Sequence, residues 1–130
     1  MAATARQGFL ATLHGWFASS FWRRPAVLFA VGAALFLNLG TWVALAVALP
    51  RSPFPFTLHY TAALGADFFG TRSQLFIVPG IGFLLLGLNI LLAAWLWNRE
   101  RALAAFVLGL TPFVQIGLAA GSVFLILANA

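Results

Sequence analysis

The sequence predicts an all-α membrane protein: three transmembrane helices preceded by a short interfacial amphipathic helix, forming one membrane domain over residues 1–130. Three observations predict it. First, 63% of the residues are hydrophobic and 7% are charged, with a mean hydropathy of +1.02. A soluble domain carries about 25% charged residues, so this chain cannot cover a water-facing surface with polar groups. Second, three uncharged apolar stretches reach the roughly 20 residues needed to cross a bilayer. Third, all nine charges (seven Arg, Asp67 and Glu100) fall outside those stretches. Collagen-like, disordered and disulfide-rich classes are excluded by the lack of a Gly repeat, the apolar content and the absence of Cys.

Residues 7–22 carry Phe9, Leu10, Leu13, Trp16, Phe17 and Phe21 at spacings of three and four, with Gln7, His14 and Ser19 elsewhere on the wheel. That pattern predicts an amphipathic helix lying in the membrane interface, as a surface anchor or a docking helix for a larger complex. Trp22, Arg23 and Arg24 form the corner, and Pro25 suits the first turn of the next helix.

The first span is expected at 26–49. It is too long for the 7–15-residue apolar core of a signal peptide, so cleavage is not expected. Residues 50–74 form an outer loop, in which Pro50, Pro53 and Pro55 enforce an extended path with little helix. The second span is expected at 75–97, an inner turn at 98–101 and the third span at 102–128. The short turn makes the last two spans an antiparallel hairpin. Pro112 should bend the third near Leu108. Arg6, Arg23, Arg24, Arg99 and Arg101 lie on one side of the spans, and Arg51 and Arg72 on the other. The positive-inside rule then places the N-terminus inside and the C-terminus outside. Trp22, Trp95 and Trp97, with Arg23, Arg24, Arg99 and Arg101, anchor the inner boundary. Glu100 is expected on the surface, near enough to pair with Arg23 or Arg24.

Within the spans there is no Asp, Glu, Lys, Arg or His. Coupled transporters and proton relays place ionisable groups at depth, and intramembrane hydrolases need a nucleophile and base, so these classes are disfavoured and no enzymatic activity is expected. Three amides do lie at depth. Each sits on a face of small or polar residues: Asn38 with Ala34 and Thr41, Asn89 with Gly82 and Ala93, and Gln115 with Thr111 and Ser122. Lipid offers a buried amide no partner, so these faces should meet and at least two amides should bond each other. Gly82, Gly117 and Gly121 are expected to let the helices approach closely.

The outer loop holds the remaining chemistry. Ser52, His59 and Asp67 are the residue types of a hydrolase triad, but no nucleophile elbow surrounds Ser52. One His and one Asp are too few for a metal site. The plainest expectation is that His59 and Asp67 bond each other or the loop backbone. His59 or His14 as an axial ligand to haem or a chlorin is the alternative, and a quinone is a further cofactor of that class.

Leu58-His59-Tyr60, followed by Gly65-x-Asp67-x-x-Gly70 and then by a span with Pro79-x-x-Gly82 and Asn89, resembles a group of uncharacterised small bacterial multi-span membrane proteins. The resemblance covers about residues 56–101, with Thr61 where that group carries Asn. It implies a first span, an outward Leu-His-Tyr loop, a helical hairpin and a bacterial origin, hence the bacterial cytoplasmic (inner) membrane as the expected location, and it implies no activity. The function expected is a non-catalytic accessory subunit of a larger membrane complex, with the lipid bilayer and other membrane subunits as partners and no nucleic acid. A pigment-, haem- or quinone-binding subunit, or a small transport or export helper, are the alternatives.

Overall fold

The computed structural model describes residues 20–49, 51, 55–61 and 63–129. The expected interfacial helix, with His14, lies outside these residues except for its last three positions, which belong to a turn over residues 20–23. Helix α1 spans Pro25–Ala48. Strands β1 (Phe56–Thr61) and β2 (Gly65–Gly70) follow, then a one-turn helix α2 (Arg72–Leu75), α3 (Ile77–Leu96) and α4 (Arg101–Asn129). Pro25–Ala48, Arg72–Leu96 and Arg101–Asn129 are each long and apolar enough to cross a membrane. Even the 24 residues of α1 extend about 36 Å, beyond a hydrocarbon core of roughly 30 Å.

The helices start and stop where local chemistry dictates. Pro25 occupies the first turn of α1, where its missing N–H has no acceptor to lose. Gln74 Oε1 accepts the Thr71 N–H at 2.7 Å, capping α2. The backbone loosens at Phe76 (φ −74°, ψ −5°) before α3 begins, within the apolar stretch Arg72–Leu96. Pro79 sits within the first turn of α3, again where N–H groups have no helical acceptor. Pro112 lies inside α4, which continues through it to Asn129.

The membrane part has three layers. At the arginine-rich end Phe21, Val27, Ala93 and Leu108 form an apolar cluster, with Trp22 and Trp97 packed against it. The Phe21 ring meets Trp97 edge-on at 5.5 Å, and Trp97 Nε1 donates to Ser20 Oγ at 3.2 Å, so the entry to α1 is tied to the end of α3. At the opposite end Leu45, Leu49, Phe56 and Leu75 form a second cluster. Between the two lies a polar layer. Helix α4 packs along both α1 and α3 and is the spine of the bundle.

The expectation of an all-α chain is corrected over residues 56–70, where the outer loop is an antiparallel β-hairpin rather than an irregular path. Phe56 pairs with Gly70, Thr57 with Phe69 and Thr61 with Gly65, with irregular register on either side of His59. The residue types explain the hairpin. Phe56, Leu58 and Tyr60 alternate with Thr57, His59 and Thr61, the period-2 pattern of a strand rich in aromatic and β-branched residues. Gly65 takes φ +73°, which an L side chain would resist, and so closes the short connection. Isolated two-stranded hairpins are marginal in water. This one is held down: Phe56 is buried in the apolar cluster, and the Asn129 side chain clamps Thr57. Asn129 Oδ1 accepts the Thr57 N–H at 2.7 Å, and Asn129 Nδ2 donates to the Thr57 carbonyl at 2.8 Å. The last residue of α4 thus bonds β1 as a neighbouring strand would. Arg72 Nη2 donates to Ala46 O at 2.8 Å and reaches Leu49 O at 3.5 Å, closing the carbonyl end of α1 against the hairpin's second stem.

Replacing Asn129 by Ala should cost about 1–2 kcal/mol, two hydrogen bonds' worth, and should act locally. Hydrogen exchange on the purified protein is expected to speed up at the Thr57 amide and its β1 neighbours and to stay unchanged at α3 amides.

Candidate functional site

The polar layer is built from three helices that share one depth. On α1, Ala34, Asn38, Thr41 and Leu45 are buried at spacings of three and four, which fixes that stripe as the inward face. On α4 the inward stripe is Ala104, Leu108, Thr111, Gln115 and Ser122. On α3 it is Pro79, Gly82, Leu86, Ala93 and Leu96. Asn38 and Gln115 are each 1% exposed, so their amides must find partners within the protein.

They find each other and the backbone of α3. Asn38 Nδ2 donates to Gln115 Oε1 at 3.1 Å and to the Pro79 carbonyl at 2.9 Å. Gln115 Nε2 donates to the Gly82 carbonyl at 2.7 Å. One amide pair therefore joins all three spanning helices. Among the described residues, Asn38 Oδ1 has no hydrogen-bond partner. The orientation of this amide still follows from its surroundings, because turning it over would set oxygen against two acceptor oxygens.

Gly82 is what makes the layer fit. A Cβ there would lie 2.7 Å from Asn38 Nδ2, 2.8 Å from Gln115 Oε1 and 3.0 Å from Leu118 Cδ1. Both amide tips are buried and bonded, so neither can move aside without losing a bond.

Asn89 belongs to a separate, second contact. Its Nδ2 donates to Thr111 Oγ1 at 3.2 Å, and that hydroxyl donates to Val107 O in its own helix at 3.0 Å. Thr41 and Ser122 bond within their own helices, to Leu37 O and Leu118 O, each at 2.9 Å. They line, with Gly40 and Ala119, a small groove of about 200 Å³ between α1 and α4. All six polar residues expected on packing faces make hydrogen bonds: four bond between helices, and Thr41 and Ser122 bond within their own while facing inward.

Two of the three glycines expected to bring helices together meet no other helix among the described residues. Gly117 and Gly121 are exposed, with open space where a Cβ would stand. The reason is geometric. At about 100° per residue, Thr111, Gln115 and Ser122 share one narrow stripe, and residues 117 and 121 fall well outside it. The polar residues cannot face lipid, so they take the inward stripe and the glycines are turned outward.

At the hairpin, His59 Nδ1 lies 2.7 Å from Asp67 Oδ1, across β1 and β2. The His59 side chain is 62% exposed. No cluster of three or more His, Cys, Asp or Glu occurs among the described residues, and Ser52 lies outside them. At the opposite end Arg99 stacks on Trp95 (4.3 Å to the ring centroid) and Arg101 lies over Trp97 (5.9 Å). Glu100 is exposed and, among the described residues, forms no ion pair with Arg23 or Arg24.

Comparison with protein-family models, curated proteins and solved structures finds no match to this chain. The site's chemistry must therefore be argued from its own geometry. An amide layer of this kind can fix the rotation and depth of three helices. It holds no titratable group to move a proton and no nucleophile beside a base.

Gly82→Ala should destabilise the bundle by about 1–3 kcal/mol through forced movement of both amides, seen as a lower unfolding midpoint in detergent. In a double-mutant cycle, Asn38→Leu and Gln115→Leu should couple by about 0.6–1.7 kcal/mol, whereas Asn38→Leu with Asn89→Leu should be nearly additive.

Proposed function

We propose that the chain is a non-catalytic accessory subunit of a larger bacterial membrane complex, with its N-terminus inside and its C-terminus outside the cytoplasmic membrane. The observation that carries this reading is the division of α4 into two faces. The polar face is fully engaged inward, where Gln115 and Thr111 tie the spans together. The glycine face, Gly117 and Gly121, is turned outward and open. Glycine inside a helix costs about 0.5–1 kcal/mol relative to alanine, a cost that nothing among the described residues offsets. A partner helix that approaches closely over the two glycines would offset it. The arginine distribution supports the orientation, and the resemblance of the Leu-His-Tyr loop supports a bacterial origin.

One observation favours a second reading, a subunit that binds haem or a chlorin. Asp67 holds Nδ1 of His59, which leaves Nε2 as the ring nitrogen turned to a ligand, the arrangement in which a carboxylate orients an axial histidine. A quinone-binding subunit belongs to the same class.

Gentle solubilisation from native membranes, followed by mass analysis, is expected to recover the chain with a stoichiometric protein partner, and a lone monomer would refute the subunit reading. Gly117→Leu with Gly121→Leu should abolish co-recovery. Gly117→Ala with Gly121→Ala should raise the unfolding midpoint of the isolated chain. An absorption spectrum of the same sample decides the second reading: a Soret or chlorin band lost in His59→Ala supports it, and a colourless sample without extractable quinone removes it.

A further inference from the structure

At the arginine-rich end, a groove of about 530 Å³ opens between α1 and α4. Its walls are Ala26 and Ala30 on one side and Ala105 and Gly109 on the other. Its floor belongs to the apolar cluster through Val27 and Leu108. Arg24 and Arg101, at the starts of the two helices, line the same end of it. Both are exposed, and neither has a carboxylate partner among the described residues. The amide layer and the hairpin leave this feature unused.

We infer that the groove binds one anionic phospholipid, with an acyl chain against the alanines and Gly109 and the phosphate between the guanidiniums of Arg24 and Arg101. Three properties select this occupant. The walls carry no polar side chain apart from the ends, so they suit hydrocarbon and offer nothing to a free phosphate. The volume is small: a helix about 10 Å across would fill it in little more than one 5.4 Å turn, whereas a single acyl chain is slender enough to lie along it. The charge is complementary, because two unpaired guanidiniums at one mouth favour a phosphate and would repel the same mouth of a second copy. Trp97 lies under Arg101 at 5.9 Å and holds the guanidinium by its face, which leaves its N–H edge for an acceptor. The inference requires only that the spans lie in a bilayer, so it stands or falls apart from the question of protein partners.

Native mass spectrometry of the full chain in mild detergent tests it, with phosphatidylglycerol, phosphatidylcholine of the same acyl chains, and glycerol phosphate as probes. The expected result is a one-to-one phosphatidylglycerol adduct, about tenfold less phosphatidylcholine and no glycerol phosphate. Arg24→Gln with Arg101→Gln should bring phosphatidylglycerol down to the phosphatidylcholine level. Arg23→Gln, outside the groove, should leave the adduct unchanged. Ala105→Phe should lower retention of both lipids by narrowing the groove, and it keeps the test open if the double variant fails to fold. Equal retention of the two lipids by the unaltered protein, an equal loss with Arg23→Gln, or an adduct insensitive to both groove variants would overturn the inference.

Discussion

A polar side chain at mid-bilayer has no water to turn to, and the rest of this structure depends on that constraint. Asn38 and Gln115 could each be accommodated only by another polar group at the same depth. Their mutual bond, with the two carbonyls of α3, sets which face of each spanning helix looks inward. Once those faces are set, the apolar clusters at the two ends follow, because Val27, Ala93 and Leu108 share the stripes that continue toward one end and Leu45 the stripe that continues toward the other. The individual bonds are weak in magnitude, about 0.6–2 kcal/mol each. Their importance is in direction: a helix rotated by one residue would leave a primary amide against hydrocarbon.

The same reasoning explains the hairpin. Its two strands have unpaired backbone groups along their outer edges, which invite pairing. The end of α4 supplies an amide that imitates a backbone, and Arg72 covers carbonyls left open at the end of α1. Both devices use side chains at helix termini, where a helix has orphan groups of its own. The hairpin is therefore an extension of the bundle's end, and His59 and Asp67 are presented on a base fixed to two spanning helices.

Much of the bundle was legible in the sequence, since length, hydropathy and the exclusion of charge from the spans depend on composition alone. That at least two of the three mid-span amides would bond each other was legible because lipid offers them no partner; that the pair would be Asn38 and Gln115, with two carbonyls of α3 beside them, was not. The hairpin was harder to read. Three prolines and two glycines around residues 50–70 argue for irregular chain, and they outweighed the short alternation of Phe56, Leu58 and Tyr60 with Thr57, His59 and Thr61. The Thr71-x-x-Gln74 capping signature was present and marks the start of α2. Asn129 was not legible as a clamp, because a polar residue at the end of a span looks the same whether it meets headgroups or a strand. Periodicity also shows that Gly117 and Gly121 share a face, but not which way that face looks.

The glycines divide into two kinds, and the division bears on how the bundle meets its surroundings. At Gly82 the missing side chain is space that two amides occupy, so the helix-propensity cost is offset within the chain. At Gly32, Gly40, Gly87, Gly109, Gly117 and Gly121 nothing lies within 4 Å of a would-be Cβ. Lipid tails can fill such hollows, but they gain no more there than they would over alanine, so lipid alone does not offset the cost of about 0.5–1 kcal/mol at each position. Gly109 lies in the groove below the arginines, where a bound acyl chain would run. Gly117 and Gly121 lie one turn apart farther along α4, the spacing at which a second helix approaches a first most closely. The two regions differ in that guanidiniums stand beside the first and none stands beside the second, which is the physical ground for assigning a phosphate-bearing lipid to one and an uncharged helix face to the other.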